Sequence, residues 1–336
     1  MKEPILLDSF GEVVVKGYHW FDEDITPQAK LVISHGMMET IDRYHDFAVF
    51  LVAQGISVYG HSHRGHGQTA GSPDALGDLG KDGWMKARND LRQTLMRAQA
   101  DDPDTPVFLL GHSMGSFLVR DLMAQLHQER AAMKDGRTPS QENGSQLKGI
   151  ILSGTGLYNA WILRLGKWLA GMEMKRHGPL HRSKRLHRMS MGSYNNKIQH
   201  PQSFFDWLSR DREMVRRYDE DPYCGQVHTS RYYHDFFHNL HRILHEDDLP
   251  EPASVKETDE RQQKESAPPL FLIGGEEDPV GDYGVGVEKT EHYYRKRGYP
   301  TTCKLYPGAR HELLNEINRQ EVYRDIADWI INHTDH

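Results

Sequence analysis

Two cysteines, Cys224 and Cys303, are all that 336 residues carry, too few for a disulfide framework. Stability then has to come from a hydrophobic core, and a reducing cytosol is the expected compartment. No apolar run approaches the roughly 18 residues that a spanning helix needs, so an integral membrane protein is not expected. Residues 1–8 show no basic-then-apolar leader pattern, which points the same way. Excess positive charge is missing too. The 41 Lys and Arg face 48 Asp and Glu, and a net charge of −7 gives no support for a nucleic-acid binder. What the chain has in abundance is histidine: its 21 imidazoles make the net charge depend on pH between about 5 and 7.

Short β-rich runs alternate with longer helical patterns, the pattern of an α/β fold around a mostly parallel sheet. Strands are expected at 12–20, 30–34, 56–60, 107–111, 147–153, 269–273 and 302–306. Several are continuous apolar runs, as required of strands covered on both faces. Helices are expected at 43–54, 84–100, 114–130, 285–297 and 319–332, with Gly55 and Gly298 as stops. The alternation breaks over residues 158–267, which carry helical patterns, no convincing parallel strand and many His, Arg and Tyr. This divides the chain into a core of 1–157 and 268–336 and an inserted cap or lid of 158–267. Two polar segments, 134–146 and 246–266, read as loops.

The sharpest local signal is Val107-Phe108-Leu109-Leu110-Gly111-His112-Ser113-Met114-Gly115, a strand entering Gly-x-Ser-x-Gly and then a helix. A serine hydroxyl attacks well only when a tight, strained turn holds it exposed, and small neighbours let that turn close. A helix starting at Met114 adds a positive dipole end where an oxyanion forms. Such a serine needs an acid and a histidine base later in the chain. Asp278 follows one late strand, with Glu277 and then Asp282 as substitutes, and His311 follows the next. Catalytic groups of open α/β sheets gather at that edge. Two N–H donors complete the set: Met114, and Met37 in Ser34-His35-Gly36-Met37, where Gly36 permits the turn.

These pieces resemble the α/β-hydrolase superfamily, and within it the monoacylglycerol lipase and bacterial lysophospholipase branch. The resemblance rests on Ser34-His35-Gly36-Met37 with Glu39 and Arg43-Tyr44, on Arg64-Gly65-His66-Gly67-Gln68-Thr69, and on Gly111-His112-Ser113-Met114-Gly115. It continues in Asp278-Pro279-Val280 and Tyr306-Pro307-Gly308-Ala309-Arg310-His311-Glu312. In the insertion it extends to Gly192-Ser193-Tyr194-Asn195, to Phe205-Asp206-Trp207-Leu208-Ser209-Arg210-Asp211 and to Asp221-Pro222-Tyr223-Cys224-Gly225. It implies a triad of Ser113, Asp278 and His311, oxyanion donors at Met37 and Met114, and substrate contacts at His35, Gly36 and His112. It implies a cap over an acyl-chain tunnel, a single-chain lipid ester as substrate, and no metal or organic cofactor. Two departures stand out: Ser116 where this branch usually has a second glycine, and Thr40 in place of a common histidine.

Other readings compete. His61-Ser62-His63-Arg64-Gly65-His66 is similar to the zinc-binding His-x-His-x-Asp-His pattern of metallo-β-lactamase-fold hydrolases. Gly65 stands where the aspartate belongs, and a loop is the simpler account. A general carboxylesterase, a thioesterase or a serine peptidase would share the catalytic set, and a non-catalytic homologue would not need it. Trp161, Ile162, Leu163, Leu165, Trp168, Leu169 and Met172 precede a cationic run over 175–188 that contains no acid. That combination suits peripheral contact with an anionic inner membrane surface through 161–188, although covering an acyl tunnel is the simpler use. No nucleic acid and no obligate protein partner are implied.

Overall fold

Apolar runs of five or six residues become the sheet's interior strands, because helices cover them on both faces and every backbone polar group is paired in the ladder. The computed structural model describes residues 1–134, 147–245 and 267–334. Its strands are β1 (Lys2–Ser9), β2 (Val13–Trp20), β3 (Ala29–Ser34), β4 (Ile56–His61), β5 (Val107–His112), β6 (Gly149–Ser153), β7 (Leu270–Gly275) and β8 (Thr301–Tyr306). They form one eight-stranded sheet in the order β1-β2-β4-β3-β5-β6-β7-β8. The β1–β2 and β2–β4 pairs are antiparallel and the others parallel. The parallel register aligns Ser34 with Gly111, His112 with Ser153 and Gly275 with Tyr306, bringing the carboxyl ends of β3, β5, β6, β7 and β8 to one edge.

Strand β1 is absent from the sequence expectation, and its chemistry explains the omission. Only Ile5 and Ser9 are buried along it, and Pro4 interrupts any β-rich run, so neither alternation nor continuity marks an edge strand. A tight turn with Phe10 at φ +57° and Gly11 at φ +65° folds it back on β2.

Side chains along each strand alternate between two cores. On one face, Leu31, Ile33, Phe108, Leu110, Phe271 and Ile273 pack with α1 (His45–Val52) and α9 (Arg319–Ile331). On the other, Val32, Leu109, Ile150 and Leu152 pack with α2 (Gly83–Asp101), α3 (Met114–Lys134) and α8 (Val285–Lys296). The helix expected at 43–54 instead begins as a 3-10 turn, Ile41–Tyr44, capped by the Thr40 hydroxyl, and becomes α-helical only at His45.

Between β6 and β7 lie α4 (Ala160–His177), α5 (Lys184–Met191), α6 (Arg212–Glu220) and α7 (Ser230–His245), with no strand among the described residues. Asn159 and Asp211 cap α4 and α6 by accepting hydrogen bonds from backbone N–H groups. Helix α4 lies close on α7: a Cβ at Gly166 would fall 2.9 Å from the Phe237 ring. A third apolar cluster, including Met38, Met191, Phe205, Trp207, Leu208, Tyr218 and Val280, joins this helical region to the carboxyl edge of the sheet. The loops expected at 134–146 and 246–266 lie outside the described residues, except that Lys134 ends α3.

Candidate active site

Strand β5 delivers Ser113 into a turn that only glycines could close. A Cβ on Gly111 would sit 2.7 Å from the Ser116 Cα, and one on Gly115 would sit 2.0 Å from the Ser34 carbonyl oxygen. Ser113 itself takes φ +51°, a left-handed conformation that costs about 1–2 kcal/mol for a non-glycine residue and is held here by its surroundings. Its N–H donates to the Ser153 carbonyl (2.9 Å) and its carbonyl accepts from the Ser116 hydroxyl (2.6 Å). Ser116, the departure from the familiar glycine, thus braces the turn. The Ser113 side chain is half-buried, and its hydroxyl makes no hydrogen bond among the described residues.

Beyond β7 and β8 the other two groups meet. His311 Nδ1 lies 3.0 Å from Asp278 Oδ2, and both residues are buried. The other Asp278 oxygen accepts from the Val280 N–H at 2.8 Å, which fixes the carboxylate. The two substitute acids stand apart. Glu277 is exposed and pairs with Arg310 at 3.9 Å, and Asp282 is exposed in a turn at φ +50°. Burial alone would lower the His311 pKa, but the charges of Asp278, then Glu312 and Glu39, outweigh it and hold the imidazole above its ordinary value.

The His311 ring is wedged between elements that sequence patterns do not connect. The His112 ring lies 4.7 Å away and the Trp207 ring, from the segment before α6, lies 5.1 Å away. Gly154, at the end of β6 with φ +57°, leaves room for it: a Cβ there would be 2.8 Å from His311 Cε1. Trp207 lies in Phe205-Asp206-Trp207-Leu208-Ser209-Arg210-Asp211, a stretch whose pattern carries no catalytic signal of its own. Gly154 could have been suspected only from the Ser153-Gly154-Thr155-Gly156 punctuation after a strand.

The turn after β3 is equally constrained. A Cβ on Gly36 would lie 3.2 Å from the Ser113 Cβ, so this backbone passes directly beside the serine. The N–H groups of Met37 and Met114 donate to no acceptor among the described residues. His35, expected as a substrate contact, also braces the turn. It is fully buried, its Nδ1 is 2.7 Å from the Gly36 carbonyl oxygen, and its Nε2 accepts from the His63 N–H at 2.9 Å. His112 is buried with Nδ1 3.4 Å from the Ser153 hydroxyl; burial and then the nearby His311, Arg43 and His35 hold its pKa well below the ordinary value.

Each histidine of the metal-like motif has a hydrogen-bond partner on at least one ring nitrogen, while His61 Nε2 and His63 Nδ1 are buried without one among the described residues. His61 meets the Thr94 hydroxyl (2.7 Å), His63 the Ser34 hydroxyl (3.1 Å) and His66 the Arg64 carbonyl (3.0 Å). Among the described residues no group of three or more His, Cys, Asp and Glu is disposed to hold a metal ion.

The family model described as serine aminopeptidase, S33, matches residues 25–318, from before β3 to the start of α9. The chain belongs to this family. This serine aminopeptidase (S33) member has an α/β-hydrolase fold. It is similar to a monoacylglycerol lipase of Mycolicibacterium smegmatis, 26% identical over 320 residues that cover 94% of this chain and 92% of the relative. A monoglyceride lipase of Rattus norvegicus matches over 90 residues at 40% identity, covering 27% of this chain and 28% of that one. Among solved structures, a carboxyl esterase from Bacillus coagulans in complex with glycerol superposes with a TM-score of 0.80, at 26% identity over 99% of both chains.

Proposed function

We propose that the protein is a serine carboxylic-ester hydrolase acting on single-chain lipid esters, of the monoacylglycerol lipase or lysophospholipase type. The observation that carries this reading is the Asp278–His311 pair, 3.0 Å apart and buried at the sheet edge where β5 turns into Ser113. In the proposed reaction His311 takes the Ser113 proton as the oxygen attacks the ester carbonyl. Asp278 orients the imidazole and stabilises its cation, while the Met37 and Met114 N–H groups receive the oxyanion. The C–O bond to the alcohol then breaks, His311 returns the proton to the leaving oxygen, and an acyl group remains on Ser113. Water activated by the same histidine releases the fatty acid.

Residues 158–267 act in this reading as a cap over the core formed by 1–157 and 268–336. Helix α4 supports it: Trp161, Leu165, Trp168 and Met172, spaced along one side of the helix, are exposed, while Leu163 and Ala170 are buried. Lys175, Arg176, Lys184, Arg185 and Arg188 continue from that apolar stripe and are exposed. The reading therefore includes peripheral contact between α4 and an anionic lipid surface, with the protein on the cytoplasmic side. No helix among the described residues is long and apolar enough to cross a membrane.

The family description names an aminopeptidase, and carboxylesterase or thioesterase chemistry would use the same groups. A single panel separates them: monoacylglycerols, lysophospholipids, short p-nitrophenyl esters, thioesters and aminoacyl amides, each with a Ser113→Ala control. Long-chain monoacylglycerol or lysophospholipid turnover that vanishes in the variant is expected. Turnover of aminoacyl amides alone would overturn the ester reading.

A further inference from the structure

Arg43, just inside the first helical turn after β3, lies where three loops meet. Its two terminal nitrogens donate to both oxygens of Glu312, at 2.5 and 2.6 Å, across 269 residues of chain. Its Nη1 is also 3.6 Å from Glu39, whose other oxygen accepts from the Gly36 N–H and, at 2.9 Å, from the Tyr44 hydroxyl. Glu312 directly follows His311, and its own N–H donates to the Leu208 carbonyl at 2.7 Å. The Arg43 guanidinium stacks 4.6 Å from the Tyr218 ring, and the Tyr218 hydroxyl donates to the Met38 carbonyl at 2.8 Å. Glu39, Tyr44, Glu312 and Tyr218 are all buried.

We propose that Arg43 and Glu312 form a positioning clamp tying the turn that offers the Met37 N–H to the loop that carries His311. The clamp rests on the ester-hydrolase reading, since it serves the two groups that reading uses. A salt bridge kept only for stability would need one carboxylate. Here one guanidinium serves two, so when both carboxylates are ionised negative charge remains beside the imidazole and favours the imidazolium formed during attack. The other titratable groups around the cluster are Tyr44 on the same loop, Tyr218 and Cys224 from the segment before β7, His112 from the nucleophile turn, and Asp278 behind His311. Burial, then the Glu312 charge, pushes Glu39 up to about 7 against the opposing pull of Arg43, so its charge grows as pH rises through neutrality.

The clamp also dictates which substitutions are informative. Removing Arg43 would leave two buried carboxylates unpaired, a loss of the kind that unfolds proteins. Glu312→Gln leaves Arg43 balanced by Glu39. In the full-length chain, kcat and KM for p-nitrophenyl butyrate and the pH dependence of the fluorophosphonate labelling rate are measured together. Glu312→Gln is expected to lower kcat about 10- to 100-fold with KM within about twofold. It is also expected to move the acid limb of labelling down by about half a pH unit or more, because a charge that favours the imidazolium is gone. Glu312→Asp, which keeps the charge and shortens the reach, should lose kcat with the limb unmoved.

Wild-type kcat and an unmoved limb in Glu312→Gln overturn the clamp, as does a lower melting temperature with both kinetic readouts unchanged. If Glu312→Gln does not fold, Glu39→Gln carries the test, and an unmoved limb there overturns the clamp. A wild-type chain that takes no label overturns both the clamp and the ester-hydrolase reading. Labelling and turnover in the wild type with unresponsive variants overturns the clamp alone.

Discussion

Gly115 admits no side chain, because a Cβ there would meet the Ser34 carbonyl at 2.0 Å and the His35 carbonyl at 2.5 Å. Backbone on both sides has nowhere to go, so Gly115→Ala is expected to lose about 3 kcal/mol in denaturant unfolding. Gly80→Ala makes the control. Gly80 has φ +84° and open space around it, so that variant should lose only the left-handed strain, about 1–2 kcal/mol. On the proposed mechanism, Asp278→Asn is expected to cost about four orders of magnitude in kcat while fluorescence and melting stay close to wild type. Near-normal turnover in that variant would move the acid role elsewhere.

The grouping of Ser113, Asp278 and His311 at one edge could be anticipated because each follows a strand of a parallel sheet, whose carboxyl ends converge by construction. Gly154 left only a turn signal after a strand, and the meetings of Trp207 with His311 and of Arg43 with Glu312 could not be anticipated. Their contacts join stretches up to 269 residues apart, and no local period or turn signal records such a meeting.

Helix α4 shows how far an amphipathic pattern carries. Trp161, Leu165, Trp168 and Met172 are exposed on a helix whose buried contacts with α7 include Leu163 and Ala170. Two apolar sides confuse a single-stripe reading, since the sequence pattern alone cannot say which side meets protein. Edge strand β1 was invisible for the related reason that only two of its residues turn inward. If α4 contacts lipid as proposed, the double variant Trp161→Ser with Trp168→Ser should lose sedimentation with anionic vesicles. Its melting temperature should change little, because Trp161 and Trp168 are 60% and 59% exposed. Equal, negligible binding of wild type to anionic and neutral vesicles would remove the lipid contact.

The whole molecule's net charge of −7 averages opposites: a cationic run at 175–188 and an acidic stretch at 246–260, the latter outside the described residues. The abundance of histidine has a firmer consequence. His61 and His66 are buried and held down to about 4, and His35, His63, His112 and His228 are also lowered, chiefly by burial. An unfolded chain would protonate these groups near pH 6.5 while the folded chain would not. Stability is therefore full above about pH 6.5 and falls as pH drops toward 4, each such histidine contributing a slope of up to about 1.4 kcal/mol per pH unit. His311, whose pKa is raised, contributes oppositely, its share fading as pH rises past its own value. The six lowered groups outweigh that one, so the melting temperature should fall steeply between pH 6.5 and 5. A flat profile would mean that these rings are hydrated or already charged.

The central claim is that Ser113, activated through His311, carries the acyl group. Its most direct measurement is peptide-mapped mass spectrometry after brief acid quenching of the wild-type chain turning over a monoacylglycerol or a p-nitrophenyl ester. A fatty-acyl mass on the peptide containing Ser113, absent in Ser113→Ala, is the predicted result, and in a separate sample a fluorophosphonate adds its phosphonyl mass to the same residue. Ester turnover with no acyl or phosphonate mass on Ser113 would contradict it.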